Sequence, residues 1–173
     1  MTPPNPSGLP PLAAPSDAPI GTIDDVQVGE GVAFEKTVGE SDVYLFAGIT
    51  GDFAPNHVNE RYMQSSVYGS RIAHGALVLA YTSTVAANYA LGKRLAGASL
   101  GYERVRFLKP VFIGDTVRVE YRIARVDRGE ARSWADVEVR NQHGDLVLVC
   151  QHLLKVLPYG RPAAGGPRAA EAD

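Results

Sequence analysis

The sequence predicts an α+β fold in which one antiparallel sheet curls around a single long helix, and three observations lead to it. Gly75 to Leu91 is the one long apolar segment, with apolar or small residues around nearly its whole circumference. A helix apolar on all sides is buried on all sides, so something must wrap it. Downstream, Val117, Val119, Tyr121 and Ile123 alternate with Arg118, Glu120 and Arg122. That period of two marks a strand with one buried face. Three further strand candidates surround it, separated by turn-forming clusters, and a sheet with its helices on one face is the α+β layer solution.

In chain order, residues 1–19 hold seven of the 12 prolines with Ser, Ala and Gly between them, which predicts an extended tail. Residues 158–173 are similar in composition, leaving residues 20–157 as a single domain. Val32 to Val38 reads as a first strand. Ser41 suits a helix N-cap and Asp42 its first turn, with Val43, Phe46, Ala47 and Thr50 on one face. Gly48 and Gly51 weaken that helix and let the chain turn into Asp52. Asn59 is placed to cap a short helix through Met63, and Tyr68-Gly69-Ser70 breaks it. The apolar segment follows, stopped at Gly92, and as a helix would be about 25 Å long. Leu100 to Leu108, the alternating stretch at 117–123, Ala131 to Arg140 and Leu146 to Leu157 then predict a four-strand antiparallel meander. Asp127-Arg-Gly-Glu and Asn141-Gln-His-Gly supply hairpin turns. A single sheet around one helix is the hot-dog architecture.

Composition narrows the function. Apolar residues at 45% and charged residues at 21% are ordinary for a soluble globular domain. A formal net charge of −2 supplies no basic field, which argues against nucleic acid as a partner. No stretch reaches the 18 to 20 or so apolar residues of a membrane span, and the N-terminus lacks a signal peptide's basic start and apolar centre. The cytoplasm is the expected location. The one cysteine, Cys150, lies in an apolar run and reads as a small buried hydrophobe.

The chemistry concentrates in Gly51-Asp52-x-x-Pro55-x-His57, just ahead of the apolar helix. An Asp and a His five residues apart on a Gly/Pro-punctuated turn can grip one water from two sides and pass its protons. Gly75, in Ile72-Ala73-His74-Gly75, opens the helix, where unpaired N–H groups and the helix dipole favour an anion. A plainer account stands beside each. Asp52 suits a turn after Gly51. His74 at a helix start suits a structural hydrogen bond, and Ser83 can bond back to its own helix carbonyls. Asp52, His57 and His74 match no usual zinc spacing, so no metal is expected. His143 in a turn, His152 in the last strand, and Trp134, Tyr102 and Phe107 on the sheet read as structural; Arg104 and Arg106 read as a solvated strand face.

Thr50-Gly51-Asp52-Phe53-Ala54-Pro55-Asn56-His57, followed by Ile72-Ala73-His74-Gly75, closely resembles the MaoC-like family of hot-dog proteins, which includes (R)-specific enoyl-CoA hydratases. The resemblance spans about residues 30 to 157. It implies that Asp52 and His57 are catalytic and activate the water added across the 2,3-double bond of an acyl thioester. It implies that Ser83 supports the Asp and that the Gly75 amide binds the thioester oxygen; His74, at the helix start, is read beside them as a supporting group. No cofactor is implied, because CoA arrives as part of the substrate. It also implies a homodimer, or a higher oligomer of dimers, with acyl-CoA at the subunit interface. One departure stands out: the family's usual form is Asp-x-Asn-Pro-x-His, and Ala54 occupies the Asn position. The first expectation is a hydro-lyase interconverting a 2-enoyl-CoA and its (R)-3-hydroxyacyl-CoA. The alternatives are a hot-dog acyl-CoA thioesterase and a non-catalytic acyl-CoA-binding subunit.

Overall fold

The structure is a computed structural model that describes residues 21–159. The two predicted tails lie outside these residues apart from Pro158 and Tyr159. After a short 3-10 turn at Ile23–Asp25, the order is β1 (Gly31–Thr37), α1 (Glu40–Thr50), α2 (Pro55–Val58), α3 (Glu60–Met63), α4 (Gly75–Gly92), β2 (Gly97–Phe107), β3 (Thr116–Asp127), β4 (Arg132–Arg140) and β5 (Leu146–Val156). The strands form one antiparallel sheet in the order β1-β3-β4-β5-β2, and α4 packs on it. This is the hot-dog arrangement.

The core is the meeting of two periodicities. From β3, Val117, Val119, Tyr121 and Ile123 are buried, as are Ala135, Val137 and Val139 of β4 and Leu148, Cys150, Leu154 and Val156 of β5. Against them α4 buries Leu77, Val78, Tyr81, Val85, Ala86 and Tyr89. Burying a side chain of this size removes about 1.5–3 kcal/mol of unfavourable hydration, so this contact dominates the stability of the domain.

Three expectations are corrected. β2 does not join a four-strand meander: it pairs with β5, Tyr102 lying opposite His152, and β1 takes the place beside β3, with Phe34 opposite Val119. The cause is the β2–β3 connection, residues 108–115, whose backbone bonds go to separate elements rather than to a hairpin. Leu108 N–H donates to Val147 O (2.8 Å), Val111 O accepts from Ala73 N–H (2.8 Å) and Asp115 O accepts from Val38 N–H (2.8 Å).

Second, α4 is not buried all round within one chain. Ala76, Ala80, Ser83, Ala87 and Leu91 form an exposed stripe. All but Leu91 are small, so the segment reads as apolar on every side although little surface there demands cover. Third, α1 starts one residue before Ser41. Gly39 is its N-cap, and the Asp42 carboxylate accepts the Gly39 N–H (2.8 Å) while pairing with Lys36 (2.9 Å). Asn59 caps α3 as expected, accepting Tyr62 N–H at 3.0 Å.

Candidate active site

The Asp–His loop is shaped residue by residue. α1 ends on Gly51 at φ +80°, a left-handed conformation that glycine adopts without penalty, with its N–H on Ala47 O (2.8 Å). The chain reverses there. Asp52 Oδ1 then accepts Ala54 N–H (3.2 Å), an Asx-type turn, so Asp52 itself braces the turn at which Ala54 offers no side-chain bond. Pro55 opens α2 at its first position, where a missing N–H costs nothing, and α2 was read from the sequence as loop. Its single turn delivers His57 into the interior, 10% exposed, while Asp52 stays 51% exposed.

Two backbone carbonyls set the imidazoles. His57 Nδ1 lies 2.8 Å from Ile72 O, so in the neutral ring it carries the proton and Nε2 carries the lone pair. His74 Nε2 lies 2.9 Å from Asp52 O and donates to it. The two rings stack, with centroids 3.7 Å apart, and Phe46 packs on His74 at 5.1 Å. His57 Nε2 stands 3.9 Å from Asp52 Oδ2, too far for a direct hydrogen bond. One water about 2.8 Å from each would see the two atoms at roughly 90°, which suits two of its tetrahedral directions.

The ring faces a cleft of about 450 Å³ lined by Asn56, His57, Tyr68, Ile72, Gly75, Ala76, Phe107 and Val111, among others. Gly75 begins α4 in that wall. Leu77 and Val78 N–H both bond His74 O, and ahead of them the Gly75 and Ala76 N–H groups have no acceptor among the described residues. Gly75 is small for a specific reason: a Cβ there would lie 3.0 Å from Cδ1 and Cε1 of Phe107. Phe107, read from the sequence as sheet packing, therefore covers the start of α4, and it is 56% exposed.

Asp52, His57, His74 and Gly75 are thus brought to one place. Ser83 lies farther along α4 on the exposed stripe, and among the described residues it makes no hydrogen bond to Asp52. Asn56, whose Nδ2 is 3.0 Å from His57 Nε2, was missed by sequence reasoning. The available signal was a polar residue between Pro55 and His57.

Asp52, His57 and His74 each place a potential metal-ligand atom within 4.8 Å of the others. Of these atoms, the His74 nitrogen 4.0 Å from Asp52 Oδ2 is Nε2, which carries a proton rather than a lone pair. His74 Nε2 is engaged by a carbonyl, which leaves its lone pair on Nδ1, a buried atom facing no partner.

His152 is buried elsewhere in the core, with Nε2 2.8 Å from Ser99 Oγ and Nδ1 3.1 Å from Tyr121 Oη; burial alone pushes its pKa down to about 4. Burial also pushes the Cys150 thiol up to about 11, which fits its reading as a hydrophobe. Among the described residues, no helix is long and apolar enough to cross a membrane.

A curled antiparallel sheet on one long helix, with an Asp–His loop set against the helix start, defines a class as well as a shape. Residues 25–145 match the family described as "MaoC like domain", and the chain belongs to that family. Among its curated relatives is 3-hydroxybutyryl-CoA dehydratase of Methylorubrum extorquens, 34% identical over 154 residues that cover 87% of each chain. Another is the (R)-specific enoyl-CoA hydratase of Rhodospirillum rubrum, 45% identical over 96 residues, which are 54% of this chain and 63% of that enzyme. Among solved structures, R-hydratase PhaJ1 from Pseudomonas aeruginosa aligns with a TM-score of 0.70 at 26% identity, covering 87% of this chain and 96% of that one.

Proposed function

We propose that the protein is a hydro-lyase that interconverts a 2-enoyl-CoA and its (R)-3-hydroxyacyl-CoA. The observation that carries this reading is the 3.9 Å gap between Asp52 Oδ2 and His57 Nε2, with His57 and the first residues of α4, whose amides have no acceptor among the described residues, lining one cleft. The names of the relatives support the same reaction class and the (R) configuration.

In this reading Asp52 and His57 hold one water, which takes the Nε2 lone pair in place of Asn56 Nδ2. As its oxygen bonds to C3 they take one of its protons, and the C2–C3 π electrons move onto the thioester oxygen as an enolate. The Gly75 N–H receives that developing charge at a helix start, where the dipole favours it. When the enolate collapses, C2 takes the proton from the same pair. The hydroxyl ends on C3 and the second hydrogen on C2, so the pair returns to its starting state. His74 positions both catalytic groups, holding the Asp52 carbonyl and stacking on His57. Neither metal nor redox cofactor enters, because CoA is part of the substrate. Ser83 has no step within one chain.

The exposed stripe of α4 and the free edge of β2 support self-association, since both leave surface that a second copy would cover. We read the working unit as a homodimer with acyl-CoA bound near its interface.

The test is loss of the enoyl-thioester absorbance band of crotonyl-CoA, followed beside thiol release, for the wild type, Asp52→Asn and His57→Ala. The expected result is band loss without free thiol in the wild type and a fall of at least about 10²-fold in each variant. Free thiol would replace the reading with a thioesterase. If crotonyl-CoA and longer or branched enoyl-CoAs all persist, the protein is a non-catalytic acyl-CoA-binding subunit.

A further inference from the structure

We infer that Asn56 is a positioning residue whose carboxamide follows the proton on His57 Nε2, donating to the neutral ring and, turned over, accepting from the protonated one. This rests on the hydration reading above.

The argument begins with what is already fixed. His57 Nδ1 is committed to Ile72 O at 2.8 Å, so every proton the ring gains or loses in the cleft is exchanged at Nε2. Among the described residues the partner of Nε2 is Asn56 Nδ2 at 3.0 Å; Asp52 Oδ2 stands off at 3.9 Å. The titratable groups beside the ring among the described residues are Asp52 and His74, with Tyr68 and Lys109 lining the same cleft, and His74 Nε2 is occupied by Asp52 O.

Asn56 is also held in place by its own backbone. Its carbonyl accepts Ile72 N–H at 3.0 Å, so the residue that fixes the imidazole fixes the carboxamide too.

An acid/base imidazole must be held in both protonation states. A fixed donor at Nε2 suits the neutral ring and opposes the charged one, and a hydrocarbon suits neither. A carboxamide carries a donor and an acceptor on opposite sides of one terminal torsion, and such sp³–sp² torsions are broad, so a half-turn exchanges them. Asn56 is half-buried and lines the cleft, which leaves it room to turn.

Two variants test this. Asn56→Leu keeps the size and removes both hydrogen-bonding roles. It should lower kcat for crotonyl-CoA about tenfold and leave KM within about twofold, the size expected for losing a hydrogen bond to a group that becomes charged. Asn56→Asp keeps the shape and places a carboxylate at Nε2, which favours the imidazolium. It should move the titration midpoint of the His57 ring, followed by NMR on substrate-free protein, up by about one pH unit, together with the acidic limb of kcat/KM. A midpoint unmoved in Asn56→Asp, or kcat unchanged in Asn56→Leu, would overturn the inference. The NMR titration needs no turnover. If the wild type hydrates no enoyl thioester, a moved midpoint establishes the Asn56–His57 coupling while the hydration reading fails, and an unmoved one removes both.

Discussion

The proposed reaction gives Gly75 a second reason to be glycine beside the room it leaves Phe107, and replacing it by Ala, alone and with Phe107→Ala, separates the two. A Cβ at Gly75 would lie 3.0 Å from Cδ1 and Cε1 of Phe107 and 3.2 Å from Cγ. Carbon atoms in contact prefer about 3.5–4.0 Å, so the ring must retreat by roughly 0.5–1 Å. Phe107 is 56% exposed and has somewhere to go, so the stability cost stays below about 1 kcal/mol. The helical preference for Ala over Gly offsets much of that, and the melting temperature should move by only a few degrees.

Activity should not escape so lightly. The methyl would stand beside the free amides that start α4, and loss of one oxyanion donor costs about 10²–10³ in kcat. The assay is steady-state hydration of crotonyl-CoA by wild type, Gly75→Ala, Phe107→Ala and the double variant. We expect Gly75→Ala to lose at least about 10²-fold, and the double variant to stay low. Recovery of the Phe107→Ala rate by the double variant would mean that Gly75 only makes room for the ring. Gly75→Ala within about threefold of wild type would refute the amide assignment outright.

His74→Ala should lower kcat/KM at least about tenfold by freeing the Asp52 carbonyl, and His74→Gln, which can still donate there, should recover part of the loss in the same assay. His152 has a pKa near 4 in the fold against an ordinary 6.5, so the unfolded chain binds the extra proton first as pH falls. Stability from this group is therefore complete above about pH 6.5 and lost on going down towards pH 4, a total on the order of 3 kcal/mol. Urea melts of wild type and His152→Gln at pH 7 and 4.5 should show the acid loss shrinking in the variant, and equal losses would dismiss it. Ala80→Arg, on the exposed stripe of α4, should halve the mass seen by light scattering after gel filtration while leaving the far-ultraviolet dichroism intact. An unchanged mass would place any interface elsewhere.

Much of the fold was legible because its periodicities are strong. The Val117–Ile123 alternation gave β3 and its buried face, and the apolar run from Gly75 gave α4 nearly to the residue. Strand order was not legible, because alternation fixes which face is buried and says nothing about which neighbour a strand takes. The backbone bonds of residues 108–115 go to β5, to the approach to α4 and to the end of β1, which fits a crossover from β2 rather than a hairpin into β3. The openness of α4 was hidden by its small residues, which look equally suited to a core and to a surface. At the site, the spacing of the loop and the family resemblance singled out Asp52 and His57, and the structure brings their side chains within 3.9 Å. The Ile72 carbonyl was not, since a backbone acceptor leaves no mark in sequence, and Phe107 was not, since its role depends on a strand end meeting a helix start.

The hydrogen bonds around the pair explain why so little of the site is direct contact between Asp52 and His57. Asp52 is held through Oδ1 by Ala54 N–H and through its carbonyl by His74; His57 is held through Nδ1 by Ile72. Ile72 N–H is itself bonded to Asn56 O, and Ala73 N–H to Val111 O, so the loop is tied to both the approach to α4 and the β2–β3 connection. Each group is fixed from behind, and Oδ2 and Nε2 face each other across 3.9 Å, with Asn56 Nδ2 3.0 Å from Nε2. In the neutral ring both atoms are acceptors, so no direct hydrogen bond can join them, and a water with its two O–H groups can donate to both. In the proposed reaction one water bridges them, so substitutions at residues that never touch substrate, His74 first among them, should act on the rate by changing that distance.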